Sequence, residues 1–218
     1  MRVGRCSLVL TVVSVLTFSM SAWGTIINGD FGTGDFAGWM QEGPGTLDAS
    51  SEMAVMITGY DPDTGAYITT LSQSFVIPEY PLPLTFDFLF ETTGPVSGLF
   101  IDALTVSLET DMGNLIDFLI ADGSGIQHDP ICSLTDPNAD GFYTLSMDVS
   151  RFSGANATIF FDLWDEDAQD NSTAKIDNVS CEPFSEPIPE PGTIFLMLVG
   201  LVAMRILRKT ASIRRRSR

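Results

Sequence analysis

Carboxylates are the chemistry this chain carries in quantity. It has 28 Asp and Glu residues, 11 Lys and Arg, and one histidine, His128. Carboxylates in irregular loops suit Ca²⁺, which takes about six to eight oxygen ligands. One such group is Asp165-Glu166-Asp167 with Asp170, which ends just before a strand-like run. Another is Asp136-Pro137-Asn138-Ala139-Asp140-Gly141, spaced like the first half of an EF-hand loop. Its twelfth position, normally a bidentate Glu, is Met147, so it is no EF-hand. Asp136, Asn138 and Asp140 remain either an isolated calcium turn or a solvated β-turn.

Catalysis has little to stand on. A single histidine leaves no ordinary zinc cluster and no choice of Ser-His pairs. Gly-x-Ser-x-Gly, P-loop and His-Glu-x-x-His motifs are missing from the sequence. His128 and Cys132 are four residues apart, but no motif supplies an orienting group or an oxyanion hole. Paired carboxylates hydrolyse glycosides in some enzymes. With 27 acids between residues 25 and 186, chance proximity is uninformative. The expectation is a protein without catalytic activity.

Charge divides the chain into parts. Residues 25–186 hold those 27 acids against two bases, Arg151 and Lys175, a formal charge near −25. Such a segment repels nucleic acid and gains from bound cations. Residues 1–24 carry Arg2 and Arg5, then an apolar run from Leu8 to Phe18, then Ala22-Trp23-Gly24. This reads as a signal peptide cut after Gly24. Cys6 leaves with it, so Cys132 and Cys181 are the mature cysteines. In an oxidising compartment the pair suggests a disulfide worth about 2–4 kcal/mol.

The other end has three parts. Residues 184–191 read as a Pro-rich linker, and Pro187 to Gly192 as a stiff stalk. Thr193 to Met204 is apolar and uncharged, and snorkelling of Arg205 extends the span through Leu207. Arg205, Arg208, Lys209, Arg214, Arg215, Arg216 and Arg218 form a basic tail. Residues 192–218 therefore read as a short transmembrane helix with a cytoplasmic tail, leaving the acidic segment outside. Pro189-Glu190-Pro191, the apolar helix and the Arg cluster, in that order, resemble the PEP-CTERM sorting signal of envelope-bearing bacteria. The resemblance implies an exosortase as processing partner. It also implies an inner-membrane intermediate, removal of the helix, and delivery to the cell surface or exopolysaccharide matrix.

Strands position the acidic loops. Leu84-Thr85-Phe86-Asp87-Phe88 alternates strictly, as do Leu104/Val106/Leu108, Leu145/Met147/Val149 and Ile159/Phe161/Leu163. A period of two marks half-buried strands. Further strands are expected at 53–57, 66–71, 73–77, 115–120 and 175–181. Turn sequences separate them, among them Asp61-Pro62-Asp63-Thr64-Gly65 and Asp122-Gly123-Ser124-Gly125. About ten short strands predict an all-β fold, an antiparallel jelly-roll β-sandwich over residues 25–183.

Asn28-Gly29-Asp30-Phe31, Gly34-Asp35-Phe36-Ala37-Gly38-Trp39 and the closing Ile176-Asp177-Asn178-Val179 resemble the ends of galactose-binding-like jelly rolls. Those domains occur as carbohydrate-binding modules. The resemblance implies that Phe31, Phe36 and Trp39 pack the domain's entrance and that Asp177 ligates a structural Ca²⁺. Related openings carry Glu where this chain has Gly32, which removes one ligand; Asp102 could come from a neighbouring loop. The expected role is a non-enzymatic surface or matrix protein associated with exopolysaccharide. The alternative is a carbohydrate-binding module, with Tyr60, Tyr67, Tyr80, Tyr143 and Trp164 as candidate sugar platforms or as ordinary rim packing.

Overall fold

A computed structural model of the chain describes residues 25–94, 101–166 and 172–184. Two compact units divide the chain, Met1–Pro183 and Phe184–Arg218. The expected signal peptide, Asp167, Asp170, the Pro189-Glu190-Pro191 motif and the apolar and basic tail segments lie outside the described residues. No helix among the described residues is long and apolar enough to cross a membrane.

The alternating runs become strands. In chain order they are β1 (Met40–Glu42), β2 (Thr46–Asp48), β3 (Ala54–Ile57), β4 (Ile68–Val76), β5 (Leu84–Thr92) and β6 (Ala103–Thr110). Then follow β7 (Leu115–Asp122), β8 (Gly125–His128), β9 (Cys132–Leu134), β10 (Tyr143–Met147), β11 (Asn156–Trp164) and β12 (Ser172–Ser180). They form two six-stranded antiparallel sheets, β1-β4-β11-β6-β7-β8 and β2-β3-β12-β5-β10-β9. The fold is an all-β sandwich. The two expected strands at 66–71 and 73–77 are one strand, β4, because Ser72 continues the ladder opposite Phe160. The short strands β1, β2, β8 and β9 have too few residues to show alternation.

The core fills the space between the sheets. Each strand contributes its apolar set: Phe86 and Phe88 from β5, Leu104, Val106 and Leu108 from β6, and Ile159, Phe161 and Leu163 from β11 are all fully buried. Phe86 meets Phe161 across the sandwich, with ring centroids 5.1 Å apart at 88°. Burial of such side chains contributes roughly 1.5–3 kcal/mol each. At the entrance Phe31 is fully buried, Trp39 is nearly so, and Phe36 packs edge-on against Phe31. Gln73, buried on β4, receives the Ile27 N–H at 2.6 Å and donates to the Ile27 carbonyl at 2.9 Å. A side-chain amide thus stands in for a strand partner and closes the N-terminal segment onto the first sheet.

A β-bulge shapes the outer face of that sheet. Register between β6 and β7 shifts at Val106/Ser107, so Phe118 and Leu119 both turn inward and are buried. Asp117 and Ile120 consequently share the outer face despite their odd spacing. Bulges redirect side chains in this way without ending the pairing.

Candidate functional site

The outer face of the first sheet holds a groove across β11, β6 and β7, with a volume of about 390 Å³. Alternation along β11 buries Ile159, Phe161 and Leu163 and turns Phe160, Asp162 and Trp164 outward. Neighbouring strands complete three rows. Trp164 stands opposite Ala103; Asp162 opposite Thr105, which pairs with Ile120; Phe160 opposite Ser107, which pairs with Asp117. Rows are about 7 Å apart along a strand and strands about 4.8 Å apart. Exposed Leu115 and Ile120 give the groove an apolar wall, and Glu109 adds a third carboxylate.

Hydrogen bonds hold the key side chains. The Trp164 indole N–H donates to Thr105 Oγ1 at 2.9 Å, which ties the ring across the neighbouring strand. Tyr67, 37% exposed, packs on Trp164 with centroids 5.7 Å apart and planes tilted by 50°. Its position is set by its carbonyl, which accepts the Asp165 N–H at 2.8 Å. Thr70 Oγ1 donates to Asp162 Oδ1 at 2.5 Å. Burial holds the Asp162 carboxyl above the ordinary carboxylate range; the Thr70 hydrogen bond opposes that shift and the Asp117 charge adds to it. At the floor Ser107 is only 8% exposed.

A second cavity, about 460 Å³, lies between the N-terminal loop and the end of β12. Asp30 and Asn178 line it, and none of its lining residues is aromatic. A bulge between Asp177 and Ser180 puts Asn178 at φ 53°. Asp177 sits on the outer face of the second sheet opposite Asp87. Burial pushes the Asp177 carboxyl up, and the charges of Asp87 and Asp30 push it further, against the Asn178 N–H bond. Asp87 is already engaged by Thr144 at 2.5 Å and by the Asn178 amide at 2.9 Å. Side-chain oxygens left for a cation here are few, so backbone carbonyls would have to complete the shell.

The other expected ligands do not converge on Asp177. Asp102 and Asp165 are each 2% exposed. Asp102 accepts the Glu166 N–H at 2.9 Å and the Ser172 hydroxyl at 2.7 Å, stapling the end of β11 to the start of β12. Asp177 is five residues further along β12, about 17 Å away along a strand. Asp102, offered as a neighbouring-loop ligand to the Asp177 site, is therefore corrected to a separate place, beside the end of β11. In the 136–141 turn, Asn138 Oδ1 accepts the Asp140 N–H at 2.9 Å and the Phe142 N–H at 3.0 Å. That is an ordinary side-chain-closed turn, with Asp136 and Asp140 exposed. No group of three or more potential metal-ligating side chains occurs among the described residues.

The disulfide is also corrected. Cys132 and Cys181 are separate, buried thiols. Cys132 pairs with Met147, Met147 pairs with Leu84, and Cys181 follows Ser180, the partner of Thr85. Strands β5 and β10 stand between them, a Cα separation of about 14 Å, where a disulfide tolerates under about 7 Å. Among the expected platforms, Tyr143 stacks on Phe88 at 5.7 Å and packs against the core. Tyr60 and Tyr80 are exposed on loops away from the groove's lining. Tyr67 and Trp164 are brought together. Phe160, Asp162, Asp117, Thr105 and Ser107 were not singled out in the sequence, although Phe160 and Asp162 occupy the same off-period positions of 156–164 that exposed Trp164.

No family profile matches the chain, and no curated protein matches it. Its structure is similar in part to several solved structures. One is the carbohydrate-binding module TmCBM61 in complex with β-1,4-galactotriose. It has 11% identity and TM-score 0.45 over 72% of this chain and 95% of that one. Another is the N-terminal cellulose-binding domain of β-1,4-glucanase C from Cellulomonas fimi, with 14% identity, TM-score 0.41, and coverage of 74% and 97%. A third is the enzymatically active domain of tailspike protein 4 from bacteriophage CBA120, with 13% identity, TM-score 0.40, and coverage of 72% and 21%. At these values the likeness carries no argument, and the reading of the site rests on the groove itself.

Proposed function

We propose that this is a non-catalytic glycan-binding protein whose ligand lies along the groove on β11, β6 and β7. The carrying observation is Trp164, a partly exposed indole fixed by Thr105 and flanked by Tyr67. Sugar rings present apolar C–H faces with a rim of hydroxyls. An immobilised aromatic ring receives such a face with little ordering cost, and convergent polar groups fix its orientation. Thr105, Ser107, Asp117 and Asp162 line that space.

The reading extends to location. A tail resembling the PEP-CTERM signal would bring the chain to the envelope, where an exosortase removes the helix and the domain meets exopolysaccharide. The sandwich would then be of the jelly-roll class, with β11 and β12, consecutive in sequence, central in opposite sheets. A structural Ca²⁺ near Asp30 and Asp177 would draw most of its shell from backbone carbonyls, since no group of three ligating side chains occurs among the described residues. Isothermal titration of the full chain with neutral and charged oligosaccharides tests the binding claim. Heat released with saturation supports it; silence across the panel contradicts it.

A further inference from the structure

The groove is one-signed. Asp162, Asp117 and Glu109 line it, and no Lys or Arg does. Two bases fall among the described residues, and both are elsewhere. Lys175 is on β12 of the second sheet, held by Glu91 at 2.9 Å. Arg151 lies over the Phe152 ring at 4.6 Å, in the turn before β11. A polymer bearing uronate or sulfate groups would bring like charge against like. Ser107, only 8% exposed, lies at the groove's floor and adds a hydroxyl to the lining.

Charge and hydroxyl together ask for a ligand that brings positive charge and hydrogen-bond donors on an apolar ring. Resting on the glycan-binding reading above, we infer that the groove selects an amino-sugar polymer with free ammonium groups, a partially N-deacetylated hexosamine glycan. The ring face stacks on Trp164, and ammonium groups donate to Asp162 and Asp117. These two carboxylates lie two strands and one row apart, about 12 Å between Cα atoms, so they engage different sugars of one chain. An ammonium on each carboxylate also offsets the repulsion that Asp117 exerts on Asp162.

The test titrates the full-length chain, in mild detergent and chelator, with three hexamers: glucosamine, N-acetylglucosamine and galacturonate. The expected result is at least tenfold tighter binding of the glucosamine hexamer than of the acetylated one, collapsing at about 0.5 M salt. A double variant Asp117→Asn/Asp162→Asn loses that preference. Glu52→Gln/Glu79→Gln, with the same charge change on exposed loops, keeps it. Equal affinity for glucosamine and N-acetylglucosamine hexamers overturns the inference and leaves glycan binding standing. So does equal loss in both double variants, since the attraction is then a general one to an acidic protein. Preference for galacturonate overturns it too. No binding of any hexamer overturns this inference together with the reading it rests on.

Discussion

Replacing Trp164 by Ala separates a ligand platform from a packing residue. The change removes the N–H bond to Thr105, a net contribution of about 0.5–1.5 kcal/mol. It also removes the ring contact with Tyr67, about 0.5–1.5 kcal/mol. The stability loss is then roughly 1–3 kcal/mol, a Tm drop of about 3–8 °C for a domain of this size. Ligand affinity falls much further in proportion. Central aromatic anchors contribute about 2 kcal/mol or more, roughly a 30-fold weakening of Kd. Phe161→Ala, one face away in the core, is the control. It costs about 3–5 kcal/mol of stability and leaves affinity unchanged while the protein is folded. Trp164→Phe keeps a ring and loses the tether, so it falls between. Calorimetric titration and a melting curve on the same preparations read both quantities. Wild-type affinity in Trp164→Ala refutes the reasoning, as does an equal loss in Phe161→Ala.

Three further outcomes follow from the geometry. The Asp162 carboxyl is raised in the folded state, so its protonated form is the one folding favours. That contribution is full below the unfolded value of 3.8 and is lost as pH rises through the folded value. Asp162→Asn therefore melts above wild type at pH 7, with the gap narrowing toward pH 3.5; a lower Tm at pH 7 contradicts the burial argument. Burial pushes the Cys132 thiol up to about 11 and the Cys181 thiol up to about 12. Neither reacts with iodoacetamide at pH 8 without denaturant, and reductant leaves Tm unchanged; a drop of several degrees in reductant restores the disulfide. Ca²⁺ at 100 times its Kd adds about 2.7 kcal/mol if it binds the folded chain alone. Tm then rises by about 5–10 °C over chelator, and Asp177→Asn abolishes the rise; identical curves in both buffers remove the calcium reading.

Strand identity was legible wherever one face is buried and the other is wet. Phe86, Val106, Phe161 and Ile176 announce themselves by their period, and each is fully buried. Register is harder to read, because it is fixed by partners distant in sequence. The bulge at Val106/Ser107 was visible at most as the broken alternation of Leu115-Ile116-Asp117-Phe118-Leu119-Ile120. That bulge is what brings Asp117 into the groove, so the site was half hidden. The candidate calcium ligands lie apart for a related reason. Asp102, Asp165 and Asp177 look alike as loop acids, but the length of β12 keeps Asp177 away from the other two. The cysteine pair failed because two strands, contributed by residues between 84 and 147, are inserted between its members. Trp164 was found because it breaks no rule of the strand and is still too large for a wet face.

The central claim is that the groove holds a glycan. Its most direct test is affinity electrophoresis of the full-length chain and its Trp164→Ala variant. The gels carry neutral, uronate-bearing and partially N-deacetylated amino-sugar polysaccharides. The account predicts that at least one polysaccharide, the amino-sugar polymer foremost, retards wild type and leaves the variant at its reference mobility. Equal retardation of both proteins, or of neither in every gel, contradicts it.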